Sequence, residues 1–487
     1  MSSPQNLKKK TISGFLWRLC ERLSAQVVSF LVSVVLARLL LPEQYGLIAL
    51  VMIFIGIADV FVISGFSNVL VQKLHVDAVD FSTVFYMSLG LACVVYGAIF
   101  AGAPYLAVWY DKAELVSLLR ILALRLPLSC FNSIQQAWVS RHMQFRSFFY
   151  ATFAATAVSG VVGIVLALRG LGVWALVGQN LSSLVISTLV LLYVVPWRPQ
   201  LLYSWTRFRE LFNYGWRFTA TSMIGTIFDQ LRGFVIGSRY TAADLAFVNR
   251  GEQIPNIVAG NVTTALSSVL FPAFSQLQEE PDRLRRALRQ SMRMGSFILM
   301  PCMFILLAAS HNIIVLLLTE KWLACVPFMQ VVCLQQCVGF LGGINLQTIT
   351  GIGRVDISLK LEFVKKPLYL AILLLTLSIS PLAIVIGNAV YGVFAFVLNA
   401  FPNKRLLAYP IAQQLSDVAG PVALGAVMGL LVALLDFFSL PPLLGLFLQV
   451  VLGVAIYAGL AKVFLPELWQ AFLQLLGESL KRVKEHF

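Results

Sequence analysis

The sequence predicts an all-α, polytopic membrane protein of about fourteen transmembrane helices. They form two six-helix lobes, related by a pseudo-twofold axis along the membrane normal, plus a C-terminal helix pair. Three observations carry this. Of 487 residues 59% are hydrophobic and only 12% charged, with a mean hydropathy of +0.85, far too apolar for a soluble chain of this length. Apolar runs of about 20 residues recur along the chain, each enough to cross a hydrocarbon core. The connections between them are short, and none houses a soluble domain.

The runs begin near Gly14, Gly46, Phe81, Leu115, Ser147, Gly172 and Phe208, then near Asp244, Ser291, Ala324, Ile357, Pro381, Asp417 and Leu443. Met1 to Lys10 is polar, and Arg18, Glu21 and Arg22 interrupt the apolar stretch after it, so the first run is a retained helix and not a cleaved signal. With the N-terminus placed in the cytoplasm, most loop lysines and arginines fall inside, among them Lys8, Lys9, Lys10, Lys73, Arg141, Arg198, Arg283, Arg354 and Lys404. The outer loops hold only Arg38, Lys112, Arg169, Arg239 and Lys321. This asymmetry sets the orientation, with both termini cytoplasmic.

The first six runs recur in the next six. Trp17-Arg18 corresponds to Trp216-Arg217, Ala37-Arg38 to Ser238-Arg239, and Arg141 to Arg354. The stretch from Leu171 to Asn180 resembles that from Pro381 to Asn388. Six is even, so the repeats share one orientation and enclose a cavity about an axis along the membrane normal. The lobes are expected at residues 1–202 and 203–406, with the extra pair and a basic cytoplasmic tail at 407–487.

Charges inside the runs mark the candidate site, since an ionisable side chain at mid-bilayer costs roughly 2.5–3.5 kcal/mol on insertion scales. Arg18, Arg22, Gln26, Ser29 and Ser33 form one helical stripe; Arg217, Thr221, Asp229 and Arg232 form a second; Arg250, Gln253, Asn261, Thr264 and Ser267 a third. Arg120, Arg125 and Asp59 add to them. Cations exceed the anions Glu21, Asp59, Asp229 and Glu252, which suits a multivalent anion, and the guanidinium fork suits phosphate oxygens. Against this stand snorkelling to the interface and plain ion pairing. The four acids are candidates either for coupling to H⁺ or Na⁺ or for pairing with arginine.

Several classes are disfavoured. The net charge of +14 is spread over loops and not gathered into one stripe, so nucleic acid is no partner. The seven cysteines have no metal-ligand spacing and read as core. No GxxxxGK[ST] phosphate loop occurs. The four histidines sit in no catalytic constellation, so no cofactor and no enzyme activity are expected. The arginines between Gln276 and Gln290 read as a topology signal or as a contact to anionic lipid.

Gly14-Phe15-Leu16-Trp17-Arg18, the run Leu36-Ala37-Arg38-Leu39-Leu40-Leu41-Pro42-Glu43-Gln44-Tyr45-Gly46, Gln144-Phe145-Arg146 and Phe271-Pro272-Ala273-Phe274 resemble the multidrug/oligosaccharidyl-lipid/polysaccharide exporter superfamily. Within it the chain is similar to the polysaccharide-transport branch of Wzx-type flippases. That resemblance implies two lobes in a V, alternating access, and a cationic cavity that takes the pyrophosphate and sugars of a polyprenyl carrier. It further implies export of capsule, exopolysaccharide, O-antigen-type or teichuronic-acid polymer across a bacterial inner membrane. The partners so implied are the lipid-linked oligosaccharide, membrane lipids, a polysaccharide polymerase and export machinery. By position Arg18, Arg22, Arg217 and Arg250 correspond to cavity cations of such transporters. A drug or metabolite antiporter on the same fold would need acidic, aromatic walls, and a polymerase or ligase a sizeable outer loop.

Overall fold

The computed structural model describes residues 4–73, 76–438, 440–474 and 477, with side chains from residue 21 onward except at 23, 64–66, 68, 145, 214, 217, 269, 271 and 272. Sixteen α-helices succeed one another: α1 (Pro4–Leu39), α2 (Pro42–Gln72), α3 (Ala78–Trp109), α4 (Glu114–Leu122), α5 (Arg125–Arg141), α6 (Phe145–Leu168), α7 (Val173–Val194) and α8 (Trp205–Arg239). Then come α9 (Ala242–Gln276), α10 (Pro281–Ala308), α11 (Ser310–Leu318), α12 (Val326–Gly351), α13 (Val355–Thr376), α14 (Pro381–Leu407), α15 (Ile411–Ala433) and α16 (Pro442–Phe464). Among the described residues there is no strand. Hydrocarbon offers no hydrogen bonds, so a helix, which satisfies its own backbone, is the element such a sequence must form.

Every predicted run lies on one of these helices, the fourth being split between α4 and α5. Among the described residues ten helices are long and apolar enough to cross a membrane, and the chain is a multi-pass membrane protein. The four runs outside that group are α1, α4–α5, α8 and α13, each of which carries charged residues along its length. The split has a local cause. Pro127 has no N–H and its ring would collide with the carbonyl of Ala123 in a continuous helix. That carbonyl instead accepts from Leu126 N at 3.0 Å, one residue short of helical spacing.

The chain divides into two compact units, Met1–Ala246 and Phe247–Phe487. The division falls later than the lobe boundary expected at 202/203, because α8 packs along α2 and also touches α3. Arg207 at its start binds Asp77 and Asp80 at 3.5 and 3.4 Å, and Lys73 reaches both Asp80 and Glu210. Glycines set the tightest contacts in the first unit. A Cβ on Gly46 would lie 1.7 Å from the carbonyl oxygen of Ala242, and one on Gly237 2.0 Å from Leu50 Cδ2. The first of these faces backbone, which cannot rotate away. Gly46→Ala is therefore expected to cost about 1–3 kcal/mol by overpacking, seen as a lower melting temperature in detergent. Gly343→Ala, whose Cβ meets nothing within 4 Å, is the matched control and should melt no lower than the wild type.

In the second unit α12 packs on α14 and α10, and α10 on α15. Buried amides join these helices. Asn345 Nδ2 donates to Gln414 Oε1 at 2.9 Å, and Asn403 Nδ2 donates to Asn345 Oδ1 at 2.6 Å. Gln414 Nε2 donates to the carbonyl of Tyr409 at 3.2 Å. Arg289 grips Asp417 with both fork nitrogens, at 2.8 and 2.7 Å, and Tyr409 Oη donates to the same carboxylate at 2.8 Å. Arg285 donates to Gln413 at 2.9 Å. Two of the arginines read from sequence as a topology or lipid signal thus also fasten α10 to the additional helix pair. At the other end of the pair Asn312 donates to Gln449 at 2.9 Å.

Candidate transport site

In the first unit α1 carries the stripe of Arg22, Gln26, Ser29 and Ser33; the side chain of Arg18 lies outside the described residues. Arg22 is exposed, and its neighbour Glu21 accepts from Thr152 Oγ1 on α6 at 3.0 Å. On α8 Asp229 is exposed and Arg232 half-buried, while the side chain of Arg217 lies outside the described residues. Where α8 crosses α2, a Cβ on Gly56 would sit 3.4 Å from Gln230 Nε2, so polar side chains of α8 lie directly on the apolar helix.

One acid and one base predicted separately come together. Asp59 on α2 and Arg125 on α5 form an ion pair at 3.0 Å, their side chains 18% and 23% exposed. Arg125 Nη1 also lies 3.9 Å from Met52 Sδ. Of the two roles left open for Asp59, pairing with arginine is the one this geometry displays. Arg120, by contrast, stacks over Phe100 at 4.0 Å and donates to its carbonyl.

In the second unit the stripe on α9 is zipped to α12. Arg250 Nη1 donates to Gln253 Oε1 at 2.6 Å, one turn along α9. Asn256 accepts from Gln336, and Ser267 from Gln347. Glu252, on the adjacent face, is buried at 8% exposure.

Two features escaped the sequence reading. The first is on α13, where Lys365 is buried with its Nζ 2.5 Å from Glu362 Oε1, and Lys366 lies 3.9 Å from the other oxygen. The signal was present as a glutamate with lysines three and four residues after it, the spacing of one helix face. The second is a cavity of about 650 Å³ in the first unit. Leu41, Glu43 and Gln44 line it together with the run Gly170–Trp174, far apart in the sequence. There Lys112 pairs with Glu43 at 2.8 Å. This partner holds the Lys112 ammonium above its ordinary pKa. Gly172 adopts φ +55°, a conformation that favours glycine, and a Cβ there would meet only the end of the Gln44 side chain, at 2.7 Å.

Residues 35–327 match the family described as Polysaccharide biosynthesis protein. The chain belongs to this family. Its curated relatives include the Succinoglycan biosynthesis transport protein ExoT of Rhizobium meliloti, 26% identical over 66% of this chain and 65% of that protein. The chain thus spans a little under two thirds of ExoT. The Lipopolysaccharide biosynthesis protein WzxC of Escherichia coli is 24% identical over 81% of this chain and 78% of that protein. The Teichuronic acid biosynthesis protein TuaB of Bacillus subtilis is 22% identical over 88% and 89%. Among solved structures, the Lipid II flippase MurJ in an inward closed conformation superposes with a TM-score of 0.76 at 13% identity, over 93% of this chain and 99% of that one. An inward-facing multidrug resistance MATE family transporter of the MOP superfamily gives 0.59 at 15% identity, over 79% and 94%. This family member therefore has the fold those transporters share, and its all-helical reading from sequence holds.

Proposed function

We propose that the chain is a flippase. It carries a polyprenyl-pyrophosphate-linked oligosaccharide from the cytoplasmic to the outer leaflet of a bacterial inner membrane by alternating access. It has no enzymatic step of its own. Both termini lie in the cytoplasm, and the product serves export of capsule, exopolysaccharide or O-antigen-type polymer. The observation that carries this reading is the arginine excess within the helices of a polysaccharide-family membrane protein. The names of ExoT, WzxC, TuaB and MurJ support the same substrate class.

The chemistry is electrostatic. A pyrophosphate brings several negative charges into a region where each uncompensated charge costs kilocalories. A guanidinium meets two of its oxygens at once and is always protonated. Arg22 and Arg18 on α1, Arg217 and Arg232 on α8, and Arg250 on α9 provide such forks. Asp59 and Arg125 neutralise one another and so add little to the net field. Coupling to H⁺ or Na⁺ would run through Glu21, Asp229 or Glu252, and a polymerase with its export machinery would take the product on the far side.

The test is flipping of a fluorescent polyprenyl-pyrophosphate oligosaccharide by purified protein in liposomes. Wild type should move the probe to the opposite leaflet faster than empty liposomes do. Export of an organic cation with no movement of the lipid probe would instead favour a drug or metabolite antiporter; the MATE structure is named as a multidrug resistance transporter.

A further inference from the structure

We propose that a cavity between α12 and α14, within the second unit, is a recognition site for an uncharged sugar ring of the transported lipid, bound through its hydroxyl groups. This rests on the flippase reading for its biological meaning, though not for its geometry. The cavity measures about 290 Å³. At a liquid share of about 30 Å³ per water, that is room for about ten waters, more than is needed to bridge a pair of polar groups.

Its walls are amides. Gln335 and Gln336 come from α12, and Asn388 and Asn399 from α14. A side-chain amide both donates and accepts, as a sugar hydroxyl does, and none of the lining residues is ionisable at neutral pH. Tyr391 adds a ring whose orientation is fixed by an edge contact with Tyr369 at 5.2 Å. Both helices belong to the group able to cross a membrane. Gln336 donates to Asn256, Asn388 Nδ2 to Gln335 Oε1 at 3.4 Å and Asn399 to Gly342, which leaves the Asn399 Oδ1 open; an acyl chain could not satisfy that acceptor, and a hydroxyl could.

Two observations point to a missing ligand. Asn399 is only 6% exposed. Its Nδ2 donates to the Gly342 carbonyl at 3.2 Å, but its buried Oδ1 has no hydrogen-bond partner. A buried acceptor left open costs about 1–3 kcal/mol, which a ligand hydroxyl would recover. The second observation is the space itself. A Cβ on Gly343 would meet nothing within 4 Å, and on Gly339 or Gly392 it would meet only a glutamine side chain, at 3.8 Å. These glycines are not needed for close packing, unlike Gly342, where a Cβ would lie 3.3 Å from the backbone of Phe396. Glycine in a helix interior weakens it by roughly 0.5–1 kcal/mol relative to alanine. Here its result is an open, amide-walled volume.

The experiment uses full-length protein in detergent and two variants, Gly343→Leu to fill the cavity and Asn399→Ala to remove the open acceptor. Saturation-transfer NMR is run with free glucose, galactose, rhamnose and N-acetylglucosamine, and separately with an alkyl-chain probe. Wild type should transfer saturation to at least one sugar. Gly343→Leu should abolish the transfer, and Asn399→Ala should weaken the affinity at least tenfold, with Gly343→Ala melting like wild type as the control for folding. Should Gly343→Leu not fold, Asn399→Ala alone decides. No transfer to any of the four sugars, transfer unchanged in a folded variant, or displacement by the alkyl probe would each overturn the assignment. Flipping of the lipid-linked oligosaccharide by the same samples separates the two readings. Sugar binding without flipping sinks the transport function and leaves this site standing; flipping with no cavity-dependent sugar binding does the reverse.

Discussion

Arg22→Ala and Arg250→Ala are each expected to cut flipping of a polyprenyl-pyrophosphate oligosaccharide at least tenfold while leaving insertion and folding intact. Arg22 is exposed on α1, so its removal opens no hole in the core. Arg250 donates along its own helix to Gln253, a contact whose loss costs little beside a phosphate contact. Charge-assisted hydrogen bonds are worth about 1.5–3 kcal/mol, which converts to a tenfold to hundredfold loss of rate where the anion is held during passage. Lysine at these positions keeps the charge but not the fork, and should restore part of the activity. Arg18→Ala and Arg217→Ala belong to the same series. The measurement pairs flipping rate with melting temperature for every variant. Rates that fall only in step with melting temperature would make the arginines structural.

Breaking the Asp59–Arg125 pair should be the most destabilising of the single charge removals. Taking away either partner leaves the other charge buried at the α2–α5 contact, a situation that costs about 3–5 kcal/mol. Asp59→Leu with Arg125→Met removes both charges together and should melt within error of the wild type or above it, since buried pairs are often replaced by apolar residues without loss. Thermal melts in detergent check both halves. The rival role is also exposed by this design. If Asp59→Asn leaves the melting temperature unchanged yet uncouples transport from an imposed H⁺ or Na⁺ gradient, Asp59 is a coupling site and not a strut.

Hydropathy alone located the helices, because a run of apolar residues about 20 long has few other fates. It could not see the break between α4 and α5, which depends on one proline and on which carbonyl it displaces. Nor could it assign α8 to a unit. Sequence symmetry groups α8 with the helices C-terminal to it, whereas its packing on α2 and the ionic contacts of Arg207 and Glu210 group it with the N-terminal ones. The polar stripes on α1, α8 and α9 were legible from spacing, since polar residues in an apolar helix stand out one by one. Pairing was not, because Asp59 and Arg125 lie on different helices. The lysines of α13 were overlooked among apolar neighbours. The amide-walled cavity was illegible for a different reason: isolated Asn and Gln residues in hydrophobic helices look like noise until folding puts four of them around one space.

The seam that joins α15 to α12 and α14 has an electrical consequence. Asn345, Asn403 and Gln414 are neutral amides, buried at 0–1% exposure. An amide neither gains nor loses a proton in the physiological range, and it carries no net charge for a transmembrane voltage to pull on. A full charge, by comparison, feels about 2.3 kcal/mol per 100 mV on crossing. A membrane transporter lies between two compartments that differ in potential, and an arginine, always charged, feels that difference. The amide joint does not. The voltage and proton gradient can therefore act on the charged stripes of α1, α8 and α9 without loosening the amide-sealed seam between α12, α14 and α15.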